Sequence, residues 1–223
     1  MKRGASVEGD DRLRLFVALR LREADLDRLH RWSQDVLRDR VGRGALRLVR
    51  RDDLHVTVAF LGSTPRRDLD VVTEVVTQAA RVAQPIELAP VAWRETRAVG
   101  MVVLDDRDGA AGRLARAIQA ELAARDLYRP EARPWLAHVT TCRFRQPPRL
   151  RPVALPEGTC VPSDVAAYVS RLHPSGSRYE VLASVALPGS PSGDGMGPAT
   201  EDESRTEDQP DTEDQRSHGR STE

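Results

Sequence analysis

Two short stretches of this 223-residue chain share one pattern, a histidine followed two positions later by a threonine. They are His55-Val56-Thr57 and His138-Val139-Thr140. Histidine can both donate and accept a proton near neutral pH, and a threonine hydroxyl can stabilise negative charge by hydrogen bonding. Two such pairs suit phosphodiester cleavage: one histidine deprotonates the attacking water, and the other protonates the departing oxygen.

One His-x-Thr pattern alone is weak, because threonine is common in strands through backbone preference. Both copies, however, lie in apolar stretches typical of strands, over residues 54–61 and 135–144. Residues two apart on a strand share a face, so His55 and Thr57 lie together opposite Val56. Alternation therefore predicts that both histidines and both threonines can face one cleft, although spacing alone leaves an ordinary structural role open.

Phe60 and Arg143 each stand five residues after a motif histidine. An aromatic ring and a guanidinium plane both stack on nucleobases, and arginine also binds phosphate. Strict alternation places both side chains on the face opposite the histidines unless the strand bulges or ends there. They are candidate substrate-binding residues, with a core position for Phe60 and a surface position for Arg143 as the alternatives.

The other histidines and aromatic residues are weaker candidates. His30 is predicted to face solvent on a helix, His173 lies in a turn before the last strand with a possible substrate contact, and His218 lies near the C-terminus. We expect structural roles for the remaining large aromatic residues, which are Trp32, Trp93, Trp135 and Tyr179.

The periodicity of apolar residues predicts the elements that carry these motifs. The predicted strands cover residues 13–21, 46–49, 54–61, 85–94, 98–104, 135–144, 164–172 and 178–187. Helices are predicted around 26–37, after Pro65 and over 109–125, the last capped by Asp108. Each motif strand follows a helix and the motifs are 83 residues apart, which indicates a mixture of strands and helices in two half-domains of similar plan.

Composition excludes several classes of protein. Cys142 and Cys160 are the only cysteines, too few for a zinc cluster and not in a CxxC pair, so neither a metal site nor a disulfide framework is expected. No apolar run of about 18 residues could span a membrane, and the N-terminal sequence lacks an apolar signal core. We expect a cytoplasmic protein without cofactor.

Charge is distributed unevenly along the chain. Residues 189–223 contain ten acidic residues, three arginines and none of Leu, Ile, Val, Phe, Trp or Tyr, which predicts a disordered acidic tail. A polar leader over 1–11 and a folded domain over 12–188 precede it. Residues 1–188 carry a net charge of +7, which favours a polyanionic substrate, although a general preference for arginine over lysine is an alternative explanation.

Four stretches in order over about residues 12–188 resemble the signature stretches of the 2H phosphoesterases. They are Arg14-Leu-Phe-Val-Ala-Leu19, Asp53-Leu-His-Val-Thr-Val-Ala-Phe-Leu-Gly62, Arg133-Pro-Trp-Leu-Ala-His-Val-Thr-Thr-Cys-Arg143 and Gly176-Ser-Arg-Tyr-Glu-Val-Leu182. More narrowly, the chain is similar to the bacterial and archaeal RNA 2′,3′-cyclic phosphodiesterases, also called 2′-5′ RNA ligases. It departs from their second motif, where Ala137 and Thr141 replace the usual Pro and Leu.

The resemblance implies a bilobal α+β fold with pseudo-twofold symmetry, in which two antiparallel sheets with flanking helices surround a central cleft. It implies that His55 is the proton donor, His138 the proton acceptor, and Thr57 and Thr140 the phosphate-binding residues. The reaction implied is metal-independent opening of a 2′,3′-cyclic phosphate at an RNA end to a 2′-phosphate. The reverse reaction, 2′-5′ ligation, is known for some members.

Two alternatives to this function stay open. One is a related phosphodiesterase of small cyclic nucleotides, of the ADP-ribose cyclic phosphate type. The other is a non-catalytic RNA-binding module, which retention of both histidines and both threonines argues against. The expected partners are RNA ends or nucleotides with a 2′,3′-cyclic phosphate, bound by a monomer that does not associate with membranes.

Overall fold

The structure is a computed structural model that describes residues 11–37, 46–150, 154–173 and 176–189. Almost all of the predicted leader, most of the predicted acidic tail and His218 therefore lie outside the described residues. His173 is the last residue of a strand, but its side chain lies outside the description. Within the described ranges, no helix is long and apolar enough to cross a membrane.

Eight strands and three α-helices make up the described part of the chain. The strands are β1 (Arg12–Leu21), β2 (Leu46–Leu48), β3 (His55–Pro65), β4 (Ala89–Glu95), β5 (Val99–Asp105), β6 (His138–Phe144), β7 (Pro162–His173) and β8 (Gly176–Ala186). The helices are α1 (Glu23–Trp32), which continues as a π-helical turn over Ser33–Leu37, α2 (Leu69–Arg81) and α3 (Ala110–Ala124). All predicted strands and helices are therefore present, with shifted ends.

The strands form a sheet in the order β4-β5-β6-β3-β1-β7-β8, with β2 also paired to β6. Every pairing is antiparallel, and β3 and β6 are joined through the single residue pair Val56 and Val139. The predicted α+β fold is confirmed. The two sheets expected from the resemblance are two halves of one sheet, and the two motif strands meet at the junction.

The helices cover one face of this sheet and bury the main hydrophobic core. Apolar residues recur every three or four positions along each helix, so that one face of the helix meets the sheet. Val72, Val75 and Val76 of α2, and Leu114, Ile118 and Leu122 of α3, are almost completely buried. They belong to the same cluster as Val56 and Val139, so the helices cover the face of the motif strands opposite the histidines.

The start of α3 differs from the sequence prediction. Gly109 precedes the helix with a φ of 70°, a left-handed conformation that glycine adopts easily. The carboxylate of Asp106 accepts hydrogen bonds from the backbone N–H groups of Ala111 and Gly112, at 3.2 and 2.7 Å. The prediction that Asp108 caps this helix is wrong, because the turn at Gly109 brings Asp106 over the first helical turn.

Candidate active site

The register between β3 and β6 places the two motifs beside each other. Val56 is the partner of Val139, and antiparallel strands run in opposite directions. His55 therefore lies beside Thr140, and Thr57 lies beside His138. The paired valines are fully buried, whereas the histidines and threonines are partly exposed. The histidine of each motif thus lies next to the threonine of the other motif.

The two imidazole rings are held in the same way. Nδ1 of His55 is 2.7 Å from the carbonyl oxygen of Asp53, and Nδ1 of His138 is 2.8 Å from that of Leu136. A carbonyl oxygen can only accept a hydrogen bond, so Nδ1 carries the proton in both rings. In the neutral form Nε2 then holds the free lone pair, which leaves it available to exchange a proton with a substrate.

A pocket of about 320 Å³ opens over the motif strands. Of the six residues predicted for the site, His55, Thr57, Phe60, Thr140 and Arg143 line it. His138 is not a lining residue, but it lies next to Thr57 across the strand junction and is near enough to affect the pKa of His55. The structure therefore brings the predicted residues of both halves together.

A bulge in β3 places Phe60 on the histidine side of the sheet. On β1, Ala18 pairs with Thr57 and the preceding Val17 pairs with Ala59, which leaves Val58 without an opposite residue. An extra residue of this kind reverses the alternation of side chains beyond it. Val58 and Ala59 are both buried, and Phe60 is 50% exposed at the pocket. Strict alternation, which assigned Phe60 to the core face, is wrong here.

β6 contains the equivalent bulge. On β5, Met101 pairs with Thr140 and Gly100 pairs with Cys142, which leaves Thr141 as the extra residue. Thr141 and Cys142 are both completely buried, and Arg143 then faces the pocket. The extra residue is the third after the histidine in both motifs, so the two strands carry side chains into the site with the same local geometry.

Neighbouring side chains support these two residues. The guanidinium of Arg14 lies 5.1 Å from the centre of the Phe60 ring, in a cation–π arrangement. Nη2 of Arg143 is 3.5 Å from the hydroxyl of Tyr179. Tyr179, for which the sequence predicted a structural role, also lines the pocket. A polar residue on the final strand is thus part of the site.

Three aromatic rings surround His55. Phe16 lies 5.0 Å from its ring centroid, Tyr179 lies 5.4 Å away with its edge toward the imidazole, and Tyr168 is 6.0 Å away. Burial disfavours the charged form and lowers the pKa of His55 to about 4, and the positive charges of Arg143 and His138 act in the same direction. His55 is therefore neutral at neutral pH when the pocket holds no ligand.

A short turn before β3 fixes the carbonyl that holds His55. The carboxylate of Asp53 is almost completely buried and accepts two hydrogen bonds from Arg50, at 2.7 and 2.9 Å. In the same turn Arg51 bonds to Glu23 and Asp27 of α1, both at 2.6 Å. Sequence analysis did not single out Arg50 or Arg51, and the run of four charged residues before the first motif strand was the available signal.

The second motif is tied to the first by a tryptophan. Nε1 of Trp135 donates a hydrogen bond of 2.9 Å to the carbonyl oxygen of Thr57. Trp135 also packs against the main core, as the sequence predicted. This bond crosses the junction beside the single pair of valines, and it helps to fix the second motif relative to the first.

The remaining candidates lie away from the pocket lining. His30 interacts with Gln34 on its own helix, and Trp32 and Trp93 pack against each other in the core. Cys142 and Cys160 are buried free thiols, and burial raises the pKa of each to about 11. Arg47 and Ser170 do line the pocket, and neither was singled out from the sequence.

Comparison with known proteins agrees with the fold and the first motif. Residues 21–100 match the family model described as LigT like Phosphoesterase. A search of curated proteins gave no match. Solved structures do match: TT0787 of Thermus thermophilus superposes with a TM-score of 0.67 at 24% identity, covering 78% of this chain and 98% of that one.

E. coli LigT has the same fold in several crystal structures. Its complex with phosphate gives a TM-score of 0.61 at 20% identity, covering 79% of this chain and 98% of that one. Its complex with 3′-AMP gives 0.63 at 24% identity, covering 80% and 99%. At these identities the likeness to the solved structures establishes the fold, and the family model adds the sequence match.

The family model thus matches the part of the chain that contains the first motif, and the solved structures share the fold of the chain. Both findings agree with the resemblance to the 2H phosphoesterases in the four sequence stretches.

Proposed function

We propose that this protein hydrolyses the 2′,3′-cyclic phosphate at the end of an RNA to a 2′-phosphomonoester. The observation that carries the proposal is the strand junction, where each motif histidine lies beside the threonine of the other motif. His55 and both threonines thus line one pocket from separate halves of the sheet, and His138 lies next to Thr57. Together they are the set of groups that hydrolysis of a phosphodiester needs.

The phosphate binds between Thr57 and Thr140 in this proposal. Their hydroxyl groups donate hydrogen bonds to non-bridging oxygens, which gain negative charge as water attacks phosphorus. His55 and His138 then lie near opposite oxygens of the phosphate. Such an arrangement separates the attacking water from the departing ribose oxygen, as an in-line displacement requires.

Each proton in the reaction has an assigned acceptor. Nε2 of His138 takes a proton from the attacking water, whose oxygen forms the new bond to phosphorus. The bond between phosphorus and O3′ breaks, and O3′ receives a proton from Nε2 of His55. The product keeps its phosphate on O2′, and proton exchange with water returns both imidazoles to their starting forms.

The donor role of His55 depends on the substrate. Its pKa of about 4 makes the ring neutral in the free protein, and a neutral ring protonated on Nδ1 has no proton to give from Nε2. An anionic phosphate beside the ring favours the charged form and raises the pKa. The histidine therefore becomes a proton donor only once the phosphate is bound.

The size and lining of the pocket suit a nucleotide. A volume of about 320 Å³ lies near the lower end of the usual range for small-molecule sites. The exposed ring of Phe60 and the guanidinium of Arg143 offer two planes on which a base can stack. E. coli LigT, which shares the fold, has been crystallised with phosphate and with 3′-AMP, in support of this ligand class.

The decisive test is product analysis with an oligoribonucleotide that ends in a 2′,3′-cyclic phosphate. We expect a 2′-phosphate product, identified by phosphorus NMR, and no added metal is needed. A 3′-phosphate product would contradict the assignment of the departing oxygen. Binding without turnover would instead support the RNA-binding module, and turnover of ADP-ribose cyclic phosphate alone would support the small-nucleotide alternative.

We also expect one chain to be sufficient, since a single chain supplies both motifs to the pocket. The turnover rate per enzyme molecule should then not depend on protein concentration. Light scattering during gel filtration should give the mass of a monomer.

A further inference from the structure

A single hydrogen bond does not fix the direction in which the imidazole of His55 points. Nδ1 of His55 is 2.7 Å from the carbonyl oxygen of Asp53, and a ring held at one atom can still tilt about that bond. A tilt moves Nε2, the atom that gives its proton to the departing oxygen. Because a displacement of about 1 Å at a reacting group can cost about 10²-fold in rate, a second contact must fix the plane of the ring.

The ring of Phe16 makes such a contact. Its centroid is 5.0 Å from that of the imidazole of His55, with 32° between the two planes. Phe16 is only 4% exposed, whereas Phe60, its direct partner across β1 and β3, is 50% exposed. The exposed ring of Phe60 is open to a base, and the buried ring of Phe16 lies against the histidine instead.

The contact between these two rings spans several residues of the sheet. The residue opposite His55 on β1 is Arg20, four positions beyond Phe16, which corresponds to roughly 13 Å along the strand. Between them on the same face lies Ala18, and its partner across β1 and β7 is Ala166. Both alanines are completely buried. Because their methyl groups are small, the two rings can lean toward each other over this pair.

Two tyrosines hold the phenyl ring of Phe16 in turn. Tyr168, its partner across β1 and β7, stacks on it with 3° between the planes and 4.8 Å between the centroids. Tyr179 lies edge-on to the phenyl ring at 5.0 Å and edge-on to the imidazole at 5.4 Å. Stacked and edge-to-face pairs with centroids about 4.5–7 Å apart stabilise aromatic clusters. Phe16 is therefore itself fixed in place.

We infer that Phe16 is a positioning residue for the proton donor, and that its ring holds the imidazole of His55 in the plane that directs Nε2 at the departing ribose oxygen. This inference rests on the proposed function. It adds a residue that neither exchanges a proton nor binds phosphate and acts only through the histidine beside it.

The test compares two leaving groups. One substrate is an oligoribonucleotide with a 2′,3′-cyclic phosphate, whose departing O3′ needs a proton. The other is 3′-deoxycytidine 2′-(4-nitrophenyl phosphate), in which water attacks phosphorus and the bond to the nitrophenyl oxygen breaks. The 4-nitrophenolate leaves as an anion that is stable without protonation, and a 2′-phosphate remains. Both reactions need water activation, and only the first needs a general acid.

Phe16→Leu keeps an apolar side chain and removes the flat ring. It should lower kcat on the cyclic phosphate about tenfold or more, leave KM nearly unchanged, and lower kcat on the nitrophenyl ester by less than about threefold. Adding Phe16→Leu to His55→Ala should cause no further loss on the cyclic phosphate, because Phe16 acts through that imidazole. The double variant needs only the cyclic phosphate, so this part of the test does not depend on the ester.

A second pair of variants tests the support of the phenyl ring. Tyr168→Leu removes the ring that stacks on Phe16 and should lower kcat on the cyclic phosphate, by less than Phe16→Leu does. Tyr168→Phe keeps the ring and should restore most of that loss. Because Tyr168→Leu leaves Phe16 in place, it carries the test if Phe16→Leu does not fold.

Val17→Ala is the matched control for loss of packing. Val17 is the next residue on β1 and is completely buried in the main core on the opposite face of the sheet. Its replacement removes buried apolar atoms, as Phe16→Leu does, and should leave kcat on both substrates at the wild-type level. Thermal unfolding shows which variants are folded at the temperature of the assay.

The outcomes separate this inference from the proposed function. If the wild-type protein does not turn over the cyclic-phosphate oligonucleotide, the proposed function fails. If it does, and folded Phe16→Leu keeps full kcat or loses the same factor on both substrates, the positioning role is wrong and the proposed function stands. A loss from Phe16→Leu that multiplies with the loss from His55→Ala would likewise overturn the positioning role.

Discussion

The two motif strands share a backbone plan and differ in what surrounds their histidines. In both, Nδ1 bonds to the carbonyl two residues earlier, a threonine follows at the second position, and an extra residue follows at the third. His55, however, lies among three aromatic rings, and within the described residues none of the ring contacts involves His138.

The elements that support the two carbonyls also differ. The carbonyl for His55 belongs to Asp53, in a turn held by ion pairs with Arg50 and, through Arg51, with α1. The carbonyl for His138 belongs to Leu136, next to the tryptophan that bonds across the junction. A repeated backbone arrangement has thus placed two identical side chains in unlike environments, which is what a division into proton donor and acceptor requires.

The largest expected effect tests whether both motifs are needed. His55→Ala and His138→Ala should each lower kcat about 10²- to 10⁴-fold on a 2′,3′-cyclic-phosphate oligonucleotide, the range for loss of a general acid or base. His30→Ala, on α1, is the control and should retain wild-type turnover. Full activity in either motif variant would show that one histidine suffices, and it would contradict the division of roles between the two halves.

The threonines test whether the phosphate contacts are shared between halves. Thr57→Val and Thr140→Val preserve the shape and remove the hydroxyl, and each should lower kcat by about 10²- to 10³-fold. Similar losses would indicate that the phosphate lies symmetrically at the junction. A loss confined to one variant would place it over one motif, and circular dichroism would show that both variants fold.

Asp53 tests the asymmetric support of the first motif. Asp53→Asn removes the charge that pairs with Arg50 and should lower kcat several-fold, up to about tenfold, because small displacements of a reacting group are costly. The same change removes a charge that raises the pKa of His55, so NMR titration should show that pKa falling further. Asp52→Asn, at an exposed carboxylate in the same turn, should change neither quantity.

The smallest effect concerns stability. The native pKa of His55 is about 4, whereas an unfolded chain has the ordinary value near 6.5. Between these values the unfolded state binds a proton that the native state does not, so lowering the pH destabilises the fold by at most about 3 kcal/mol. The free energy of unfolding of the wild type, relative to His55→Asn, should fall from about pH 6.5 to about pH 4 and stay flat above.

Urea unfolding at a series of pH values measures this difference, and His30→Asn serves as the control. Other carboxylates titrate in both proteins and cancel in the comparison. A difference that does not change with pH would show that the aromatic surroundings do not hold His55 neutral.

The sequence predicted the elements and the central four residues because local patterns determine them. Alternation along β3 and β6 distinguished the buried Val56 and Val139 from the histidines and threonines on either side of them. Helical spacing identified α2 and α3. These features depend on which side chains are apolar. The same reasoning could not place Arg47 in the pocket lining, because pairing between β2 and β6 joins segments far apart in the chain.

The bulges show why alternation failed beyond the motifs. A bulge adds one residue to a strand without changing its polar or apolar character, so the sequence continues to read as a regular strand. Two adjacent apolar residues, Val58 and Ala59, were the local signal in β3. In β6 the corresponding Thr141 is polar yet completely buried, and its position became clear only from the pairing with β5.

The single residue pair at the junction has a mechanical consequence. Backbone hydrogen bonds hold β1 to β3 and β5 to β6 along most of their lengths, but β3 meets β6 at Val56 and Val139 alone. Local opening in proteins begins where the fewest interactions must break. We therefore expect small rocking movements of the two half-sheets about this pair, so that the distance between the two imidazoles is among the first quantities to change when the molecule deforms.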